Sequence, residues 1–142
     1  MSKNLSLKAF VVLMKSSKSV IDQIERDIRT YGMTTSDFTV LEALFHKGKL
    51  TVRQISNAVL IKTGSITYVI DKLETKGLLK RKPCQKDRRV VYIELTKEGK
   101  QLMDHIFPKH RAVIEDIFSV LTKEEKKIMI DALKKVGQKG VY

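Results

Sequence analysis

Residues 51–96 read TVRQISNAVLIKTGSITYVIDKLETKGLLKRKPCQKDRRVVYIELT, and the spacing of apolar residues changes period along them. Within residues 63–77, Ile66, Val69, Ile70 and Leu73 fall at i, i+3, i+4 and i+7, the single stripe of an amphipathic helix. Ahead of it, Thr51-Val52-Arg53-Gln54 has the form of a capping box and predicts a helix that starts near Val52 and buries Val52, Ile55 and Val59. Gly77 suits the left-handed backbone that stops a helix, and Leu78-Leu79 then resumes the apolar pattern as a strand. Val91, Ile93 and Leu95 alternate with Val90, Tyr92 and Glu94, the period-2 signal of a half-buried return strand. The stretch therefore predicts two short helices joined by a tight turn, followed by a charged β-hairpin.

The polar residues of the second helix, Ser65, Thr67, Tyr68, Asp71 and Lys72, lie opposite its apolar stripe. A helix facing water has no need of hydroxyls clustered near its start. A helix entering a DNA major groove does, because such side chains reach base edges and phosphates. Ser65, Thr67 and Tyr68 are the candidates for those contacts with Lys72 beside them, and Thr63 and Gly64 would present the helix N-terminus to phosphate. At the hairpin tip, Asp87 can hold one of Arg88 and Arg89 in a bidentate pair, leaving the other to approach phosphate or a narrow minor groove. Sequence does not say which arginine does which.

Charge supports the same surface. The chain has 142 residues and a net charge of +12; residues 51–100 carry 12 Lys/Arg against 5 Asp/Glu, while the other 92 carry 16 against 11. A solvated face is the ordinary meaning of a charge run. Placed directly after a hydroxyl-lined helix, this one reads as a surface for a polyanion. The length suits one domain, and 42% apolar with 31% charged content is that of a soluble globular protein. No apolar run approaches the roughly 18 residues of a membrane span. Lys15 and Lys18 interrupt the apolar N-terminal stretch where a signal peptide would be uniform, so the expected location is the cytoplasm.

Outward from this centre the chain is helical. Leu7, Phe10, Met14, Ser17, Ile21, Ile24, Ile28 and Tyr31 step by threes and fours through a long helix over residues 5–31, either a core helix or one shared with a second subunit. Gly32 ends it, and Phe38, Leu41, Leu44 and Phe45 make the stripe of the next, closing near Gly48. Thr96 caps a further helix with Leu102, Ile106, Val113 and Ile117 inward, and Pro108 should kink or break it. Thr122-Lys123-Glu124-Glu125 is a second capping box, opening a last helix with Ile128, Ala132, Leu133 and Val136 inward.

Catalysis has little support. His105 and His110 are five apart, about 140° around a helix, and do not converge as a metal pair; with His46 they read as structural or solvent-facing. No phosphate-cradling glycine loop or nucleophile elbow is present, and no cofactor is implied. Cys84 is the only cysteine, which rules out an intramolecular disulfide. Strand alternation would place it beside Lys80 and Lys82, whose charge favours a thiolate, so it is a redox or electrophile-sensing candidate against the plainer reading of incidental placement.

The order of these elements, with Leu78-Leu79-Lys80-Arg81, Asp87-Arg88-Arg89 and Ile93-Glu94-Leu95-Thr96, resembles the winged helix-turn-helix of the MarR family of bacterial transcriptional regulators. The resemblance covers nearly the whole chain. Residues 66–74 with Pro83-Cys84 are more loosely similar to its hydroquinone- and quinone-responsive branch. It implies a mainly α fold with a small β-hairpin wing: a single domain over residues 1–142, with a winged DNA-binding unit at 34–96 flanked by dimerisation helices at 1–33 and 97–142. It further implies a homodimeric repressor on a pseudo-palindromic double-stranded operator, released by a phenolic or quinone-like effector. Phe10, Met14 and Phe38 would line the effector pocket, each with plain core packing as its alternative. One rival reading makes the winged unit a protein-contact module whose arginines meet an acidic partner; the other, an enzyme, would depend on one of the histidines.

Overall fold

Eight consecutive buried residues, Asp37 to Leu44, mark the centre of the molecule. The computed structural model describes residues 4–138, so the outermost residues of the two expected dimerisation spans lie outside the described residues. The buried run belongs to α2 (Thr35–Lys47), capped by Thr34, whose Oγ1 accepts the Asp37 amide at 3.1 Å. Around it are α1 (Leu5–Arg29), α3 (Val52–Ala58), α4 (Ile66–Thr75), strands β1 (Leu79–Pro83) and β2 (Val91–Leu95), α5 (Lys97–Phe118) and α6 (Lys123–Gly137). The fold is mainly helical with one antiparallel hairpin, as expected.

Both capping boxes form. Thr51 Oγ1 accepts the Gln54 amide at 3.2 Å while Gln54 Oε1 accepts the Thr51 amide at 2.9 Å, and Thr122 with Glu125 repeats the pattern. At the end of α4, Gly77 takes φ +76°, and the amides of Gly77 and Leu78 return to the carbonyls of Glu74 and Leu73. That pair of bonds closes the helix in a Schellman turn and aims the chain into β1. In the hairpin, Leu79 faces Leu95, Arg81 faces Ile93 and Lys82 faces Tyr92. Leu50 adds a bridge on the far edge of β2, exchanging both backbone hydrogen bonds with Ile93.

Four expectations need correction. The helix expected over residues 63–77 begins at Ile66, because Ser65 takes the cap and its side chain accepts the Tyr68 amide at 3.2 Å. Thr63 lies before it, its hydroxyl donating sideways to Ser36 Oγ at 2.7 Å. Of the kink or break expected at Pro108, the break does not occur, since α5 runs through it. The ring removes one bond to the carbonyl of Asp104, an exposed residue whose oxygen water can satisfy, while Met103, Ile106 and His110 bury both flanks. Finally, no residue of α6 is fully buried: Ile128 and Val136 are well exposed, and Met129 is only partly covered.

The first half of α1 behaves likewise. Ile24 and Ile28 enter the core, but Leu7, Phe10 and Met14 stay exposed. Between this half and α6 runs an apolar groove of about 610 Å³, with Val12, Leu13, Phe118, Met129 and Leu133 along it. The core itself runs continuously from Ile24 and Ile28 through Phe38, Leu41 and Ile70 to Met103 and Ile106, so the flanking helices and the hairpin unit share one buried cluster.

Candidate nucleic-acid interface

The exposed side of α4 and the tip of the hairpin are held in fixed relation by ionic struts. Val69, Ile70 and Leu73 bury one stripe of α4 against α2 and α3, which leaves Thr67, Tyr68 and Asp71 outward; Tyr68 is 67% exposed. Ser65 contributes its oxygen to the cap yet stays exposed, and Gly64 opens to solvent just before it. Thr63 is half-buried against α2. Lys72 turns away from these residues. Its ammonium reaches back to the buried carboxylate of Asp37 at 2.9 Å, with Lys76 at 3.8 Å from the other oxygen. A carboxylate at 1% exposure needs a cation near it, and this pairing clamps α4 to the central helix.

A second strut joins α4 to the hairpin. Arg81 hydrogen-bonds Glu74 through Nη1 and Asp71 through Nη2, the latter at 2.5 Å, while its amide donates to Glu74 Oε2 at 3.3 Å. These bonds, that with Asp71 foremost, hold the guanidinium above even its usual range. Strand alternation could have found Arg81, which shares its side of β1 with buried Leu79. Asp37 as a buried anion had no sequence signal, since an acid in the first turn of a helix is ordinarily solvated.

At the tip, Asp87 selects Arg89. Arg89 Nε and Nη2 donate to the two carboxylate oxygens at 3.1 and 3.2 Å, and its amide adds a third bond at 3.0 Å. Those bonds, side chain first, hold the Asp87 carboxyl below the usual carboxylate range. Arg89 nevertheless projects into solvent with 91% of its side chain exposed. Arg88 is exposed beside it and has no acidic partner among the described residues. Cys84 sits just past β1, half-exposed, its amide bonded to the Val90 carbonyl at 2.9 Å.

The three residues expected to line one pocket do not converge. Phe38 is 1% exposed and lines a cavity of about 240 Å³, whereas Phe10 and Met14 point outward from α1. The cavity lies between α1, α2, α5 and the segment before α4, with Ile24, Leu60, Ile61 and Ile114 among its apolar walls. Glu42 and His110 make its polar end. His110 is buried, tilted against the Phe38 ring at 4.6 Å between centroids, with Nε2 3.6 Å from Glu42 and Nδ1 3.5 Å from Asp27. Neither Nδ1 nor the facing Asp27 Oδ2 has a hydrogen-bond partner among the described residues. Tyr31 donates to the other Asp27 oxygen at 2.8 Å; burial, then that bond, pushes its hydroxyl well above the phenol range. His110 thus has a structural position, while His46 and His105 are exposed. Among the described residues, no cluster of His, Cys and carboxylates has the form of a metal site.

A helix pair joined by the seven-residue connection over 59–65, longer than the tight turn expected, with a two-stranded wing braced against the second helix, defines the winged helix-turn-helix class. The model of the SarA/Rot transcriptional regulators matches residues 24–106. MhqR of Bacillus subtilis, an HTH-type transcriptional regulator, is 44% identical over 132 residues, 93% of this chain and 91% of that protein. In fold, AbsC, a MarR family regulator of Streptomyces coelicolor, agrees with a TM-score of 0.84 at 22% identity, covering 97% of this chain and 95% of its own. BpsR of Bordetella bronchiseptica, whose DNA binding is regulated by 6-hydroxynicotinic acid, agrees with a TM-score of 0.78 at 23% identity over 92% and 98% of the two chains. The chain belongs to the SarA/Rot family of transcriptional regulators, and its fold is that of a MarR family regulator. Membership of a regulator family, and not the scarcity of candidate nucleophiles, decides against the enzyme reading.

Proposed function

We propose that the chain is a homodimeric repressor that binds an imperfect palindrome in double-stranded DNA and lets go when a small hydroxylated aromatic, a phenol or quinone-like compound, enters the cavity beside His110. The observation that carries the DNA reading is the pairing of an exposed Thr67–Tyr68 surface on α4 with a wing tip whose arginine is already oriented. Two α4 helices would enter successive major grooves, roughly 34 Å apart. Ser65, Thr67 and Tyr68 would meet base edges or adjacent phosphates, Gly64 would let the backbone approach the phosphate chain, and Arg89 would enter the flanking minor groove with Arg88 on phosphate. Thr63 and Lys72 act behind this surface, fixing α4 to α2.

The apolar side chains left uncovered on α1 and α6 support dimerisation. Leu7, Phe10, Met14, Ile128 and Val136 are all more than half exposed, a concentration that a monomer in water does not keep. Ligand response is supported by the cavity: an apolar space of about 150 Å³ already takes benzene, and here Glu42 and His110 stand ready for a hydroxyl or carbonyl. Leu60 and Ile61 form one wall and lead directly into α4, so an occupant that displaces them favours a dimer with wrongly spaced reading helices. BpsR supports the chemical class, since 6-hydroxynicotinic acid is a hydroxylated aromatic ring.

The test is capture of genomic fragments by the purified protein, sequenced with and without candidate phenols, followed by salt titration on the recovered duplex. A palindromic motif whose log affinity falls steeply and linearly with log salt is expected. Association that is absent, or insensitive to salt, would turn the wing arginines over to an acidic protein partner.

A further inference from the structure

The wing has a second cationic surface, on the side away from α4. Lys82 and Tyr92 are directly paired across the hairpin and so project from the same face of the sheet. Arg81 and Ile93, one residue along, project from the other face, where Arg81 binds Asp71 and Glu74 of α4 and Ile93 is buried. On the outer face lies a groove of about 440 Å³, bordered by Lys49, Lys82, Cys84, Lys86 and Tyr92. Lys49 comes from the segment after α2 and places its ammonium 4.9 Å from the centre of the Tyr92 ring. Among the described residues no carboxylate lines the groove; the acid on that face of β2, Glu94, is taken up by Lys80 at 3.6 Å. Lys49, Lys82 and Lys86 have no acidic partner among the described residues.

Three unneutralised ammonium groups around one concave surface repel each other unless an anion lies between them. Lys86 adjoins Asp87 in sequence, so the groove continues directly from the tip arginines. Because its face is turned away from α4, any duplex it meets lies beyond the minor groove that the tip enters, outside the recognition core. Resting on the DNA-binding reading, we infer that this groove holds the phosphodiester backbone of DNA flanking the operator, with Lys49, Lys82 and Lys86 as its phosphate contacts. The wing then clamps the duplex on two sides: its tip sits in the minor groove and its outer face extends the footprint away from the dyad.

The experiment uses an operator duplex recovered by selection, trimmed to its recognition core, and the same duplex lengthened by about six base pairs per side, roughly 20 Å. On the long duplex, the K49A/K82A/K86A variant should show a salt slope shallower by about 2.7 per wing, three phosphates at about 0.9 each. Considered for one wing, wild type then loses about forty-fold more affinity than the variant between 50 and 200 mM salt. On the trimmed duplex the two proteins should have the same slope. Equal changes on both duplexes, or none on either, would overturn the flanking contact while wild-type binding to the trimmed duplex keeps the DNA reading intact. Failure of wild type to bind either duplex would remove both. Cys84 gives a second readout as the only thiol: its alkylation by iodoacetamide should slow several-fold with the long duplex and not with the trimmed one. If inorganic phosphate alone protects it as well as the long duplex does, the groove is a small-anion site and the inference fails.

Discussion

Replacing Gly99 by alanine sets two well-characterised effects against each other, and only the packing decides between them. Gly99 is buried in the first turn of α5, its amide donating to Thr96 Oγ1 at 3.1 Å. On helix propensity alone, Gly99→Ala should stabilise by about 1 kcal/mol. A Cβ built there, however, falls 1.9 Å from the Leu78 carbonyl oxygen and 2.9 Å from its carbon. Restoring an ordinary carbon–oxygen separation of about 3.3 Å requires the two backbones to part by roughly 1.4 Å. The same joint carries the Thr96 amide bond to Leu78 O at 3.1 Å and the Thr96 hydroxyl bond to Gly77 O at 2.6 Å. Losing both costs about 1 kcal/mol each, and overpacking adds about 1–3 kcal/mol. Set against the propensity gain, the net destabilisation is about 2–4 kcal/mol, or roughly 5–15 °C in Tm for a domain of this size. Urea unfolding followed by circular dichroism, at fixed chain concentration because the stability of any oligomer depends on it, measures the change. A variant as stable as wild type, or more so, would refute the claim that this joint is closed to a methyl group. The same joint fixes the end of α4, whose outer face is the proposed DNA-reading surface.

Arg89→Ala should weaken operator binding by about 1–3 kcal/mol in fluorescence anisotropy without changing the dimer; Asp87→Ala should lose less, because it removes the orientation and keeps the charge, and full affinity in Arg89→Ala would defeat the wing assignment. Because the Asp87 carboxyl is held below its ordinary range, its pairing with Arg89 persists through neutral pH and is lost only as pH falls below the usual carboxylate range; a midpoint near pH 6 in a nuclear magnetic resonance titration of the Asp87 carboxyl would contradict that. Tyr68→Ala should relax sequence preference more than it lowers affinity for random duplex, and equal losses on both would move Tyr68 to the phosphate contacts. Phe10→Glu places a charge on the uncovered face of α1 and should shift sedimentation toward monomer while helicity persists; an unchanged dimer would put the interface elsewhere.

Period and capping made most of the elements readable before any coordinates. The stripe Ile66–Val69–Ile70–Leu73, the two capping boxes, Gly77 and the alternation around Ile93 each act through neighbours a few residues away, so local sequence was enough to place them. Local sequence also put Asp87 beside an arginine. It did not say which one: that choice depends on how the turn between Asp87 and Val90 aims each side chain, and the turn delivers Arg89. The pairing of Lys72 was hidden for a related reason. Its position on the helix is polar, but its partner, Asp37, is 35 residues earlier and buried, and sequence carries no mark of a charge that another helix will cover. The polar end of the cavity is similar, since Glu42 and His110, with Asp27 behind His110, come from three helices and meet only because α1, α2 and α5 pack together. The outer groove of the wing needs Lys49, brought over Tyr92 by the Leu50 bridge to Ile93. What the chain determined by itself was thus the type and order of its elements and the density of cations around the wing. Tertiary packing decided which of those charges are neutralised inside the protein and which remain for a partner, because pairing acts through space between residues that the sequence keeps far apart.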